Sequence, residues 1–462
     1  MKTFSLILIA VLFIFPFNIY SQNNSPDNLS AYDQTALKIV DSALVNRRAY
    51  SMLHDLCEIG PRLSGSENSI KAIHWAENKM KELGFDNIWL QPVMVPHWVR
   101  GDVEEATIVN GKFKGRKINI CALGGSVGTD KNGITAPVVE VKNLNEIDLL
   151  KEKVKGKIVF INEPMDETFI NTFPAYGKAV EKRVFGAIKA AGYGALAVII
   201  RSITTKYDNV PHTGVMIYND SIPKIPGVAA GYSDSNFLSA ALKDNPNLKM
   251  RIKLKCKTLP DAQSYNVIGE IKGKEFPDEV IVVGGHIDSW DKGVGAQDDG
   301  AGCVQSMEVL DLMKRLNLKP KRTIRCVLFI NEENGSRGAE AYGKYADTTN
   351  EKHIAAIESD AGGFTPRGFS VTADSSVLAK IQSWLPILKV CNIEEISEGG
   401  SGADVNDIKK VKALIGYHPD SQRYFDYHHS DNDVLEVVNP RELELGSAAI
   451  AVLAYLISEE GL

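Results

Sequence analysis

EVIVVGGHIDSWD, residues 279–291, is the stretch on which the fold turns. Its Val280–Val283 run is continuously β-branched, which suits a strand buried on both faces. The run ends in two glycines and then in His286, Asp288 and Asp291. Outward from it, Gly300 to Leu316 has the spacing of an amphipathic helix, and Thr323–Ile330 reads as a second buried strand. Ile354–Ser359 reads as a third and Ala413–Gly416 as a fourth, and a long helix from Glu442 to Glu459 closes the chain. This alternation predicts an α/β domain with a mixed, mostly parallel sheet and helices on both faces.

The chain has 462 residues, 44% hydrophobic and 24% charged, which allows two or three ordinary globular domains. Its net charge of -6 and the absence of any long basic run exclude a nucleic-acid footprint. Residues 1–21 read as a signal peptide: a basic start at Lys2, an apolar run from Phe4 to Tyr20 and a small residue, Ser21. Pro16 and Asn18 interrupt that run, and no later segment is apolar enough to span a bilayer, so no membrane anchor is expected. Secretion, extracellular or periplasmic, follows, and with it an oxidising compartment. The six cysteines are scattered without a C-x-x-C pair, and Cys303 and Cys326 sit in apolar runs as core residues.

Residues 22–101 read as the N-terminal part of the main domain: helices, then a β-rich Ile88–Val95 that Pro96–Gly101 breaks off. Residues 102–256 have another texture. Short strands are expected at Ala106–Val109, Lys117–Ala122, Val138–Val141 and Ile158–Ile161, then a helix Val184–Ala191 and a strand Ala195–Ile200. None carries clustered His, Asp and Glu, so this stretch reads as an inserted domain. Residues 257–462 are the catalytic domain.

Polar residues gather where the buried strands end, the edge at which an open parallel sheet places its ligand site. His286 and Asp288 follow the first strand, Asp298 and Asp299 the next turn, Glu332 and Glu333 the second strand, and Asp360 the third. His428 and His429 stand near the terminus. Alone, each has an ordinary explanation, such as acidic residues at a helix start. Together they make a set of imidazoles and carboxylates without clustered thiolate, which suits zinc. A carboxylate next to a ligand in sequence, as Glu332 is to Glu333, can reach metal-held water and act as a general base.

The motifs GGHIDS, GAQDDGAG, NEENG, ESD and HHSDND resemble the co-catalytic zinc exopeptidase family of aminopeptidase and glutamate carboxypeptidase type. PHWVRG, PHTG, KIP and GGSGAD extend the resemblance over nearly the whole mature chain. It implies a phosphorylase/hydrolase-like catalytic domain with an inserted protease-associated domain, two zinc ions per chain and a homodimer. It also implies Asp298 as bridge, His286 and Asp360 on one ion, Glu333 and His429 on the other, Glu332 as base and Asp288 as the partner of His286. His429 is preferred over His428 because the family pattern places Ser or Thr after the histidine and Asp four residues on, as Ser430 and Asp433 do. Relatives carry Tyr where His428 stands, so His428 becomes the candidate oxyanion donor. Gly400, Ser401 and Asp404 form the candidate wall of the substrate pocket.

The expected function is secreted metal-assisted hydrolysis of dipeptides or short peptides with free termini, with metal-held water as nucleophile. A broad aminopeptidase shares every ligand and differs only in its pocket. A one-zinc glutaminyl cyclase and a receptor-like binding protein are disfavoured by the complete ligand set.

Overall fold

Val280–Val283 lies at the centre of an eight-stranded sheet, in a computed structural model that describes residues 29–462. The expected signal segment falls outside the described residues. The strand order is Asn87–Val99, Lys257–Ile271, Arg322–Phe329, Phe276–His286, Lys352–Glu358, Val411–Pro419, Pro366–Ala373 and Glu395–Glu398. The Phe276–His286 strand is parallel to both neighbours, and Lys352–Glu358 is parallel to Val411–Pro419. Antiparallel pairs join Asn87–Val99 to Lys257–Ile271 and Pro366–Ala373 to Val411–Pro419.

Side chains alternate across the central strands, and both faces are covered. Ile281, Val283, Ile324, Cys326 and Leu328 join the larger core, under the helices Ala301–Arg315 and Pro440–Glu460. Val280, Val282, Val327 and Phe329 join a second core with Tyr342 and Ala346 of the helix Arg337–Thr348. That two-sided burial explains the uninterrupted β-branched runs.

Two expectations change. The helix Ala301–Arg315 is buried from Ala301 to Met313 rather than on one side, because the closing helix covers the face turned away from the sheet. Its Gln305, Glu308 and Asp311, which gave the amphipathic spacing, have buried partners. Pro96 does not end its strand. The strand reaches Val99, and the register shifts between Val95 and His97. Proline is tolerated at such irregularities because it removes only one donor.

Residues 104–254 build a second eight-stranded sheet, ordered Lys117–Ile118, Glu104–Ile108, Lys249–Leu254, Ile134–Val141, Ile158–Ile161, Ala197–Arg201, Gly227–Ala230 and Ile120–Ala122. Its parallel part carries the helix Glu181–Gly192 on one side. All six cysteines are free and buried. Among the described residues no helix is long and apolar enough to cross a membrane.

Candidate metal centre

His286 ends its strand, Glu332 and Glu333 follow Phe329, and Asp360 follows Glu358, so three adjacent parallel strands deliver their carboxyl-end residues to one place. Asp298 comes from the turn before the helix Ala301–Arg315 and stands in the middle. Its Oδ1 lies 3.3 Å from His286 Nε2 and its Oδ2 lies 3.2 Å from His429 Nε2. Asp360 Oδ1 is 3.4 Å from the same His286 nitrogen, and Glu333 Oε2 is 3.0 Å from His429 Nε2. One carboxylate therefore faces two sets of donors, each an imidazole with a carboxylate.

The set fits a metal on its own chemistry. His286 Nε2 and Asp298 Oδ2 are buried without a hydrogen-bond partner. Such an orphaned polar atom costs about 1–3 kcal/mol, and the crowded carboxylates repel one another as well; bound cations answer both. Electrostatics carry the same mark. Burial and the charge of Asp298 push the Glu333 carboxyl well up. Burial also pushes Asp298 up, but the imidazoles of His286, His429 and His428 close beside it outweigh that and hold its carboxyl well below the usual range.

Glu332 Oε2 lies 4.0 Å from His286 Nε2, and its side chain keeps 25% of its surface exposed. Desolvation, with Asp360, Asp298 and Asp288 adding to it against His286, pushes its carboxyl up to about 8. Asp288 contributes differently from the expected imidazole–carboxylate pair. His286 Nδ1 is 3.1 Å from the main-chain carbonyl of Asp288 and 3.9 Å from its carboxylate. The carboxylate instead accepts the N–H groups of Asn331 at 2.7 Å and Glu332 at 3.2 Å, which fixes the turn that carries the glutamates.

Other carboxylates hold the scaffold. Asp299 accepts from the N–H of His286 at 2.9 Å and of Gly302 at 3.0 Å. Gly285 must stay bare for this, since a Cβ there would come 2.3 Å from Asp299 Oδ2. Asp433 accepts from the N–H of Gln297 at 2.7 Å and of Asp298 at 3.1 Å. Arg62, fully buried, donates to the carbonyls of Ile287 and Gly295 at 2.8 and 2.9 Å.

His428 also faces Asp298 Oδ2, at 3.6 Å, and its ring stacks on His429 with centroids 3.4 Å apart. Of the pocket-wall residues, Gly400 and Ser401 make contacts of their own, and Asp404 lies within range of the charges of Glu332 and His286. Ser401 donates its hydroxyl to Asn406 at 2.8 Å, and the Gly400 carbonyl accepts from Ser370 at 3.2 Å. Asp404 is buried with both carboxylate oxygens unpartnered, and desolvation with the charges of Glu358 and Glu332 pushes it well up.

Sequence reading assigns no role to a second group, drawn from Arg100 just after the Asn87–Val99 strand and from residues packed on or between the strands of the second sheet. Thr213 donates its N–H to the His429 carbonyl at 2.8 Å, and His212 Nδ1 is 2.8 Å from the His428 carbonyl. Arg183 Nη1 lies 3.4 Å from His429 Nδ1. Arg100 pairs with Asp291 at 2.6 Å and donates to Thr213 Oγ1 at 3.2 Å. PHWVRG and PHTG contain Arg100, His212 and Thr213, and that was the available signal; Arg183 had none.

The comparisons agree with this geometry. The family model described as peptidase family M28 matches residues 266–454. Carboxypeptidase Q of Mus musculus is 34% identical over 94% of this chain and 91% of the relative. Its Homo sapiens counterpart is 35% identical over 94% of this chain and 90% of the relative. A solved peptidase M28 precursor from Shewanella amazonensis SB2B superposes with a TM-score of 0.89 at 32% identity, covering 93% of this chain and 97% of that one. A zinc aminopeptidase from Bacillus subtilis shares the fold, with a TM-score of 0.64 at 22% identity, over 90% of this chain and 96% of that one. With its strand-end carboxylates and histidines converging on Asp298 and its similarity running nearly end to end, the chain belongs to peptidase family M28 and is a metallopeptidase.

Proposed function

We propose that this chain is a secreted exopeptidase that holds two zinc ions and hydrolyses dipeptides and other short peptides with free termini. One observation carries the reading: the two oxygens of Asp298 face different donor sets, His286 with Asp360 on one side and His429 with Glu333 on the other. A single carboxylate shared in this way is what a two-ion site needs. When bound, the ions supply Lewis acidity, lowering the pKa of water and polarising a carbonyl.

The chain's own residues do the rest. Glu332 Oε2 stands at the open side of the cluster, takes the proton of the attacking water and returns it to the leaving amine. Asp288 fixes Glu332 through its main-chain N–H. His428, beside Asp298, is placed to donate to a developing oxyanion. Residues 102–256, as an inserted protease-associated domain, cover the His428–His429 side. The similarity to carboxypeptidase Q over 94% of the chain supports the carboxypeptidase side of this reading over a broad aminopeptidase.

The test pairs elemental analysis with turnover. Two zinc ions per chain, cleavage of free dipeptides, and loss of cleavage on chelation with recovery on zinc addition are expected. A zinc-replete chain that cleaves no dipeptide overturns the reading.

A further inference from the structure

Arg183 is a buried cation without a carboxylate partner among the described residues. It is 5% exposed, on the helix Glu181–Gly192 of the second sheet. Among the described residues no carboxylate oxygen lies within ion-pair distance of its guanidinium. Other buried arginines are satisfied. Arg325 pairs with Glu270 at 2.6 Å and Glu351 at 2.7 Å. Arg100 pairs with Asp291 and Glu104, and Arg62 is surrounded by carbonyls. Arg183 has one main-chain acceptor, the Val215 carbonyl, at 3.3 Å. A guanidinium carries five N–H donors in a planar fork.

Its other close contact does not relieve it. Nη1 lies 3.4 Å from His429 Nδ1. His429 turns its Nε2 toward Asp298 and Glu333. If Nε2 gives its lone pair to a metal, as proposed above, the ring proton must sit on Nδ1. Nδ1 then donates and cannot accept from Arg183. The fork then has the Val215 carbonyl and the Tyr176 phenol beside it but no carboxylate partner among the described residues, one imidazole ring away from the carboxylate cluster. Burying such a charge unpaired costs several kcal/mol, so its retention calls for an anion.

The surroundings suit one kind of anion. Gly214 lets its bare main chain pack on the guanidinium, since a Cβ there would come 2.4 Å from Nη1. The Tyr176 ring stands 5.5 Å from the guanidinium carbon and 5.0 Å from the His428 ring, so a phenol accompanies the cation on the same side. In an extended dipeptide the terminal carboxylate carbon lies about 4 Å from the scissile carbonyl carbon, three bonds on. We infer that Arg183 is the receptor for the free α-carboxylate of the substrate, which it grips as a planar fork beside Tyr176. This rests on the two-zinc peptidase reading and deepens it. It makes the carboxyl terminus the end that is recognised by charge, and it places that recognition on the helix Glu181–Gly192, beside His429.

The experiment compares matched peptides with free and amidated carboxyl termini, using the zinc-loaded full chain. Wild type should prefer the free acid. Arg183→Gln should reduce the acid-to-amide ratio of kcat/KM by about 10-fold or more, mainly through KM, as expected for losing a charge-assisted bidentate contact. Arg183→Lys, which keeps the charge without the fork, should fall between them. Calorimetric binding of N-acetylalanine, a product-like carboxylate, should weaken in the same order. Wild type that cleaves the amide as fast as the acid overturns the inference whatever the variants do, and leaves the peptidase reading standing. So does an Arg183→Gln variant that binds N-acetylalanine as wild type does, or one that loses kcat equally on both peptides. Absence of any peptide hydrolysis would instead strike the peptidase reading itself.

Discussion

Asp298 and its neighbours show how little separates a metal ligand from a supporting residue. Asp298 and Asp299 are adjacent and both buried, yet one turns its oxygens to His286 and His429 while the other receives main-chain N–H groups. Glu332 and Glu333 divide in the same way: Glu333 Oε1 also accepts from the Trp290 N–H at 3.0 Å, whereas Glu332 stays at the open side. Glu332→Gln should therefore keep its metal and lose turnover by at least about 10²–10⁴-fold, the usual share of general-base catalysis. Turnover assays on samples of measured zinc content check this, and near-normal rates in a zinc-replete variant would remove Glu332 from the mechanism. The paired histidines give a sharper contrast. His429 is 3.0 Å from Glu333 and 3.2 Å from Asp298, while His428 is 3.6 Å from Asp298. His429→Ala should lower zinc occupancy, and His428→Ala should leave occupancy intact while slowing turnover. The opposite pattern in elemental analysis would exchange their roles.

At the scale of elements, the helix Ala301–Arg315 does two jobs, supporting the metal turn at one end and a buried acid pair along its length. Glu308 accepts from the Ala49 N–H at 3.2 Å and pairs with Arg315 at 3.0 Å; Glu444 of the closing helix accepts from the Tyr50 N–H at 3.0 Å. Both carboxyls thus cap the start of the helix Arg48–Cys57. Burial first, then the hydrogen bond and charge of Glu444, push Glu308 well above the usual 4.5. A raised carboxyl means the folded state holds a proton that the unfolded chain releases. The associated stability is complete below about pH 4.5 and is lost as pH rises through the folded value. Glu444→Gln supplies an N–H donor in place of the second carboxylate, so Tm should rise by on the order of a few degrees at pH 8 and change little at pH 5. Calorimetry across that range checks it; an unchanged alkaline decline would mean the pair shares no proton. The same helix marks what could be read in advance. The central strands were legible because burial on two faces leaves an unbroken β-branched run, as at Val280–Val283. The helix itself misled because its buried polar residues mimic an exposed face. The helix Tyr232–Asp244 has no apolar run distinct from the polar residues around it, whereas the strand Lys249–Leu254 is marked by alternation, with Met250, Ile252 and Leu254 buried, and not by the apolar runs on which the other strands were read. The candidate ligands stand in local motifs that the chain order shows, but Arg183, His212 and Thr213 meet His428–His429 from more than 200 residues away in sequence, and no local pattern records such a contact.

At the scale of the molecule, the second sheet closes one side of the metal centre. Thr172 donates its hydroxyl to the Ser421 carbonyl at 2.7 Å; Phe173 stacks on Tyr424 with ring centroids 5.3 Å apart, and Tyr176 stacks on Phe425 at 4.6 Å. Together with His212 and Thr213, these contacts run along the segment from Ser421 to His429 that ends in the candidate ligands. His428 and His429 are accordingly buried, while Glu332 and Asp360, on the other side, keep 25% and 23% of their side-chain surface exposed. A substrate reaches the centre from that open side and meets a closed wall beyond the scissile bond. A wall of this kind leaves the chemistry of the bond unchanged and limits how much chain can lie past it. Rates on peptides of two to ten residues should therefore fall steeply beyond two or three residues, and unfolded proteins should be poor substrates although their peptide bonds are the same. The measurement is kcat/KM along one homologous series under zinc-saturated conditions. A flat series would show that the wall moves aside or stands clear of the substrate path. In that case the aromatic contacts from Phe173 and Tyr176 would serve to hold the histidine segment in place and would not set the length of the substrate.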